Sequence, residues 1–207
     1  VGLRKCLLAI KDAYLNNKYV GLACGIKNTG IGNGMPDFAN VKIVIEDRDH
    51  IVIHHGWTEM GQGVHTMAIQ TVCQETGLSP DIMEVKVETD EETFCGMTTS
   101  SRGTSLVGNA LIEACKAFKN DLAQFGLAEL KGKGYLGKWV CDWTNDAFGK
   151  KLPKVPITHY SYGYAAQVVI LNDKTGKIEK VVAAHDAGRV MNPKLFEGQI
   201  EGAIHMG

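Results

Sequence analysis

The chain has 207 residues, is 44% hydrophobic and carries 22 basic against 23 acidic side chains. That length suits one large domain or two small ones with a real core. The near-balanced charge argues against a dedicated nucleic-acid or anionic-membrane binder, and no apolar run approaches the roughly 20 residues of a membrane span.

The elements follow in order. Leu3 to Asn16 reads as an amphipathic helix and Tyr19 to Lys27 as a strand of small residues. A glycine-rich loop holds Gly30, Gly32 and Gly34 and closes at Pro36. Val41 to Glu46 and Ile51 to His55 alternate, with turn chemistry between them, and predict a hairpin. Val64 to Glu75 is helical, with Gly77 at the C′ position. Ile82 to Glu88 alternates as a strand. After a polar stretch comes a helix from about Ser105 to Phe125, striped by Val107, Leu111, Ala114, Phe118 and Leu122. Leu130 to Pro156 reads as a loop or irregular strands. Tyr164 to Leu171 and Ile178 to His185 form a second hairpin around the turn Asn172 to Lys177, and Pro193 to Met206 a last helix. The predicted class is α+β, with mostly antiparallel sheets and packed helices. Sub-lobes 1–130 and 157–207 are expected, joined by an irregular connection, 131–156.

The six cysteines contain no Cys-x-x-Cys pair, so neither a zinc ribbon nor an iron–sulfur cluster is suggested. They read as reduced thiols in a cytoplasmic protein, and no signal peptide is visible at Val1 to Leu8. His54 and His55 are adjacent on a strand and point to opposite faces, and His65, His185 and His205 read as structural residues.

Two segments could carry chemistry. Glu59 to Thr66 contains Gly61, Gln62 and Gly63; Met97 to Thr104 contains Thr98, Thr99, Ser100, Ser101 and Arg102. Each delivers the chain into a helix, whose first N–H groups and dipole favour an anion. Glycines allow close backbone approach, the hydroxyls add donors and Arg102 adds a positive charge. Two such loops converging would suit a large anionic ligand. Plain helix caps are the alternative; loops more than about 15 Å apart would favour it, because one largely buried ligand could not bridge them. A nucleotide or dinucleotide-phosphate module is a further alternative. Against it, Thr66 replaces the third fingerprint glycine and the hairpin implies antiparallel pairing.

The segment Trp57 to Thr66, Trp-Thr-Glu-Met-Gly-Gln-Gly-Val-His-Thr, resembles the molybdenum hydroxylases of the xanthine dehydrogenase/aldehyde oxidase type. Ordered likenesses continue at Thr98 to Ser101, Gly108-Asn109-Ala110, Tyr162-Gly163, Asp186-Ala187-Gly188, Asn192-Pro193 and Gly198 to Ala203. The resemblance implies the large subunit's molybdopterin-binding region. Gly61, Gln62 and Gly63 would contact the cofactor, with Thr98, Thr99, Ser100 and Ser101 on the pterin and phosphate. Gln199 would make a further amide contact, and the backbone at Ser100 would lie beside molybdenum. Thr99 and Ser100 stand where purine-oxidising relatives tend to have alanines, and Arg102 and Gly103 replace small residues, which puts xanthine itself in doubt.

The resemblance further implies hydroxylation of an N-heterocycle or aldehyde. Beginning at Val1 and stopping within an ordered pattern at Gly207, the chain reads as a fragment of a longer polypeptide, inactive alone. No catalytic residue is assigned within it: the general-base glutamate is expected after Gly207. Iron–sulfur clusters and FAD are expected on other domains or subunits, with the rest of the parent polypeptide as partner.

Overall fold

The computed structural model describes residues 2–151 and 153–207. In chain order the elements are α1 (Gly2–Leu15), β1 (Val20–Thr29), β2 (Asp37–Asp47), β3 (His50–His55), α2 (Val64–Thr76), β4 (Met83–Val87), α3 (Gly103–Phe125), β5 (Gly134–Cys141), β6 (Ser161–Leu171), β7 (Ile178–Asp186) and α4 (Pro193–Met206). The chain divides into two compact units, residues 29–160 and residues 1–28 with 161–207.

The larger unit carries a four-stranded sheet in the order β4-β3-β2-β5. Along β2 every second residue from Asp37 to Ile45 is buried, as a half-buried strand requires. The strand's inward side, with Ile51, Ile53, Leu106, Leu111 and Phe118, forms one core beneath α2 and α3. β2 pairs antiparallel with both β3 and β5. β3 pairs parallel with β4, Ile51 opposite Met83 through His55 opposite Val87, with α2 as the connecting helix. The fold is therefore α+β as expected, but this sheet is mixed. The first hairpin holds as read; it simply does not constrain β3's other edge.

Residues 134–141 are a regular strand rather than an irregular connection. The reason lies at Gly137: a Cβ there would sit 2.0 Å from the Ala110 carbonyl oxygen and 2.8 Å from the Ala114 nitrogen. The helix backbone rests directly on the strand, so glycine takes a place where alternation calls for an apolar side chain.

In the smaller unit β6 pairs antiparallel with β7, β1 lies on the other edge of β6, and α1 packs over β6 and β7. Cys6 and Ile10 meet Ala166, Val168 and Ile170 in its core. α4 is capped by Asn192, whose side chain accepts from Leu195 N, with Pro193 in the first turn. These units differ from the lobes 1–130 and 157–207: the first 28 residues go with the late strands, and β5 completes the larger sheet. Among the described residues, no helix is long and apolar enough to cross a membrane.

Candidate functional site

The two loops singled out from sequence meet in the larger unit. They line one cleft of about 340 Å³: Trp57, Met60, Gln62 and Val64 from the first, residues 98–104 from the second. Thr58 N donates to Thr98 Oγ1 at 3.0 Å, so the loops touch. That removes the reading of two separate turns. Gly61 and Gly63 do not line the cleft. With φ of 102° and 80° they shape the turn, in backbone that side-chain-bearing residues rarely adopt. Gln199 lies exposed on α4, in the other unit.

The first loop is held by its own side chains. Gln62 Oε1 accepts from Met60 N at 2.6 Å and its Nε2 donates to the Thr58 carbonyl at 2.7 Å. Glu59 is the residue that sequence reasoning missed. One of its carboxylate oxygens accepts from Gly61 N (2.8 Å) and Gly63 N (2.9 Å), the other from His65 N (3.1 Å). Burial pushes this carboxyl's pKa up, but the three N–H groups outweigh it and hold the group below the usual carboxylate range. The anion position at the start of α2 is thus filled from within. A phosphate would have to displace that carboxylate, and with it the nucleotide-binding alternative loses its support, even though the β3–α2–β4 pairing is parallel.

The second loop is braced from beneath. Arg102, only 3% exposed, pairs with Asp37, 1% exposed, at 2.8 Å. Its guanidinium also donates to the Met97 (2.6 Å) and Cys95 (2.8 Å) carbonyls and lies 5.1 Å from the Trp57 ring centroid. The expectation that Arg102 offers its charge to a ligand is therefore corrected. Its charge is matched by Asp37, and the pair shapes the loop instead of presenting a free cation to a ligand. The glycine-rich loop after β1 contributes as well: Gly30 N donates to the Ser100 carbonyl at 3.0 Å and Ile31 N to Asp37 Oδ2 at 3.1 Å. A side chain at Gly30 would meet the Tyr160 ring at 2.2 Å.

Ser100 and Ser101 both take left-handed backbone, φ 55° and 52°. Such conformations cost of order 1 kcal/mol or more each and concentrate at ligand-binding loops. Thr99, Ser100 and Ser101 line the cleft, and no hydrogen bond to protein engages their hydroxyls among the described residues. Trp57 Nε1 is buried beside them without a partner.

Behind Trp57 lies His55, fully buried at the end of β3. Its Nδ1 accepts from Trp57 N at 3.1 Å, which fixes the neutral Nε2–H tautomer. Burial, reinforced by His65 at a ring separation of 5.2 Å, lowers its pKa from 6.5 to about 4. The unfolded chain therefore binds one more proton than the folded chain between those values. Stability should be complete above pH 6.5 and fall as pH drops towards 4, by up to about 3 kcal/mol. Acid unfolding of the protein and of a His55→Asn variant checks this: the variant should lose much of that pH dependence.

All six cysteines are free, and burial raises the thiol pKa of Cys95 to about 11 and of Cys115 to about 12. Neither offers a thiolate nucleophile at neutral pH. Among the described residues no group of three or more His, Cys, Asp or Glu side chains is placed to hold a metal ion.

Comparison with known proteins gives a consistent pattern. The family profile of the molybdopterin cofactor-binding domain matches residues 11–207. Xanthine dehydrogenase/oxidase of Mus musculus is 29% identical over 181 residues, covering 76% of this chain and 13% of that protein. A probable xanthine dehydrogenase subunit from Bacillus subtilis is 27% identical over 219 residues, covering 90% of this chain and 29% of that protein. Among solved structures, the aldehyde oxidoreductase of Desulfovibrio desulfuricans superposes with a TM-score of 0.74 at 21% identity, over 97% of this chain and 25% of its own. The chain thus spans less than a third of the relatives it matches.

Proposed function

The chain belongs to the molybdopterin cofactor-binding domain family, and from that premise we propose that its cleft holds part of the molybdopterin in a molybdenum hydroxylase. The observation that carries this reading is the convergence of Gln62 with Thr98, Thr99, Ser100 and Ser101 on one cleft. The residues fit such a group. Hydroxyls not spent on protein partners offer donors to heterocycle edges and phosphate oxygens, and the braced backbone keeps them in place.

In this reading Gln62 contacts the cofactor through the amide hydrogen and lone pair that its loop does not use. Gly61 and Gly63 keep the turn free of side chains. Thr98 to Ser101 would bind the pterin and phosphate, with the backbone at Ser100 on the side of the molybdenum. When bound, the group supplies a redox-active molybdenum able to hydroxylate a carbon next to nitrogen or oxygen. This chain's part is to bind and orient. Glu59 is unsuited to accept the substrate's proton, because its carboxylate is already taken up by three N–H groups; that role goes to a glutamate elsewhere in the parent protein.

The substrate class is an N-heterocycle or an aldehyde. The hydroxyls of Thr99 and Ser100 make the cleft more polar than alanines would, which favours a substrate other than xanthine. Iron–sulfur and FAD modules, with the rest of the parent polypeptide, are the expected partners, and the cytoplasm the expected location.

The test is a Gln62→Ala variant of the full-length protein. Losing one ligand hydrogen bond, worth about 0.5–1.5 kcal/mol, should weaken cofactor retention roughly threefold to tenfold. Molybdenum content and oxidation of xanthine, other N-heterocycles and aldehydes are the readouts. Unchanged molybdenum content and activity would remove Gln62 from the site.

A further inference from the structure

A carboxylate that accepts three backbone N–H groups across a glycine turn does more than cap a helix. Gly63, in left-handed conformation, stands at the N-cap of α2 and offers no side chain to cap it. Glu59 supplies the missing cap from outside the helix. Its two oxygens reach Gly61, Gly63 and His65, which flank Gln62 on both sides. Gln62 closes the same loop from the opposite direction through Met60 N and the Thr58 carbonyl. Thr58 in turn reaches Thr98 Oγ1 on the second loop. The segment from Thr58 to His65 is thus closed by its own hydrogen bonds, with the carboxylate of Glu59 accepting three of them.

We propose that Glu59 is the positioning residue of the cofactor site: its carboxylate sets the conformation of Gly61-Gln62-Gly63 and so the direction in which Gln62 faces the cleft. The assignment rests on the molybdopterin reading for its consequence, but not for its geometry. It also follows that the start of α2 is not a phosphate site. An anionic group of the cofactor is left to the hydroxyls of the second loop.

Glu59→Gln tests this, since it keeps size and removes charge. The amide can accept through one oxygen only, and its NH₂ faces an N–H donor. In the full-length protein, hydrogen exchange at the Gly61, Gly63 and His65 amides should quicken about tenfold or more, while Met67 to Val72 in α2 stay protected. Molybdenum per chain should fall about tenfold, and Glu59→Asp, which keeps the charge at shorter reach, should recover part of it. A pH profile separates positioning from mere structural support. Cofactor retention in the unmodified protein should show an acid step as Glu59 is protonated, and that step should be missing in Glu59→Gln. His55 and His65, the other titratable groups beside Glu59, are common to both proteins.

Unchanged exchange at the three amides would overturn the proposal. So would loss of molybdenum without faster exchange, because the carboxylate would then act by another route. An unmodified protein that holds no molybdenum would instead strike the functional reading, and the exchange experiment would still decide the role of Glu59.

Discussion

Replacing Arg102 with alanine is expected to destabilise the protein by about 3–5 kcal/mol, because the Asp37 carboxylate is left buried without its partner. That is a large share of a total stability of roughly 5–15 kcal/mol. The thermal midpoint should fall by on the order of 10 °C. The second loop should loosen in the same variant, since the Cys95 and Met97 carbonyls lose their donors. A double-mutant cycle with Asp37→Ala assigns the cause. If the pair is responsible, the double variant is markedly more stable than the sum of the two single losses. Additive losses would mean that Arg102 acts through its other contacts. A fall in midpoint of only a degree or two would show that the pair is not buried as described.

Gly137→Ala should cost about 3 kcal/mol, at the upper end of overpacking effects. The added methyl would fall on the Ala110 carbonyl and the Ala114 nitrogen, within a helix backbone that has no flexible side chain to yield. The strand supplies its own control. At Gly134 the nearest atom to an added Cβ is Lys42 Cε at 3.5 Å, a movable side-chain end. Gly134→Ala should therefore change stability by less than about 0.5 kcal/mol. Thermal unfolding of the two variants side by side checks the pair, and equal effects would show that α3 does not rest on β5.

The elements most legible in the sequence are those with one dominant period. The stripe from Val107 to Leu122, the alternation of β2, and Gly77, which ends α2 in left-handed conformation with its N–H on the Cys73 carbonyl, all stand as read, whereas β3 is a strand but is buried on both faces from Ile51 to His55 instead of alternating. β5 is hidden because its packing demands glycine where the pattern demands an apolar residue. The parallel pairing of β4 is hidden because a hairpin specifies only one edge of a strand. The grouping of residues 1–28 with 161–207 leaves no local signal at all.

At the site, residue types were legible and their partners were not. The hydroxyls of Thr98 to Ser101 and the amide of Gln62 do share a cleft. Arg102 among serines and threonines reads as a ligand cation, until Asp37, far earlier in the chain, claims it. Glu59 has a signal that could have found it: an acid just ahead of a glycine-built helix start that has no Ser, Thr, Asp or Asn at the cap position. The left-handed pair Ser100–Ser101 has none, because its conformation is imposed by what surrounds it.

The central claim is that this chain helps hold a molybdopterin, and the molybdenum-to-protein ratio of the purified full-length protein tests it most directly. Expressed with an intact supply of the cofactor, the protein is predicted to carry about one molybdenum for each copy of this chain. A protein purified folded under those conditions with no molybdenum would contradict the account.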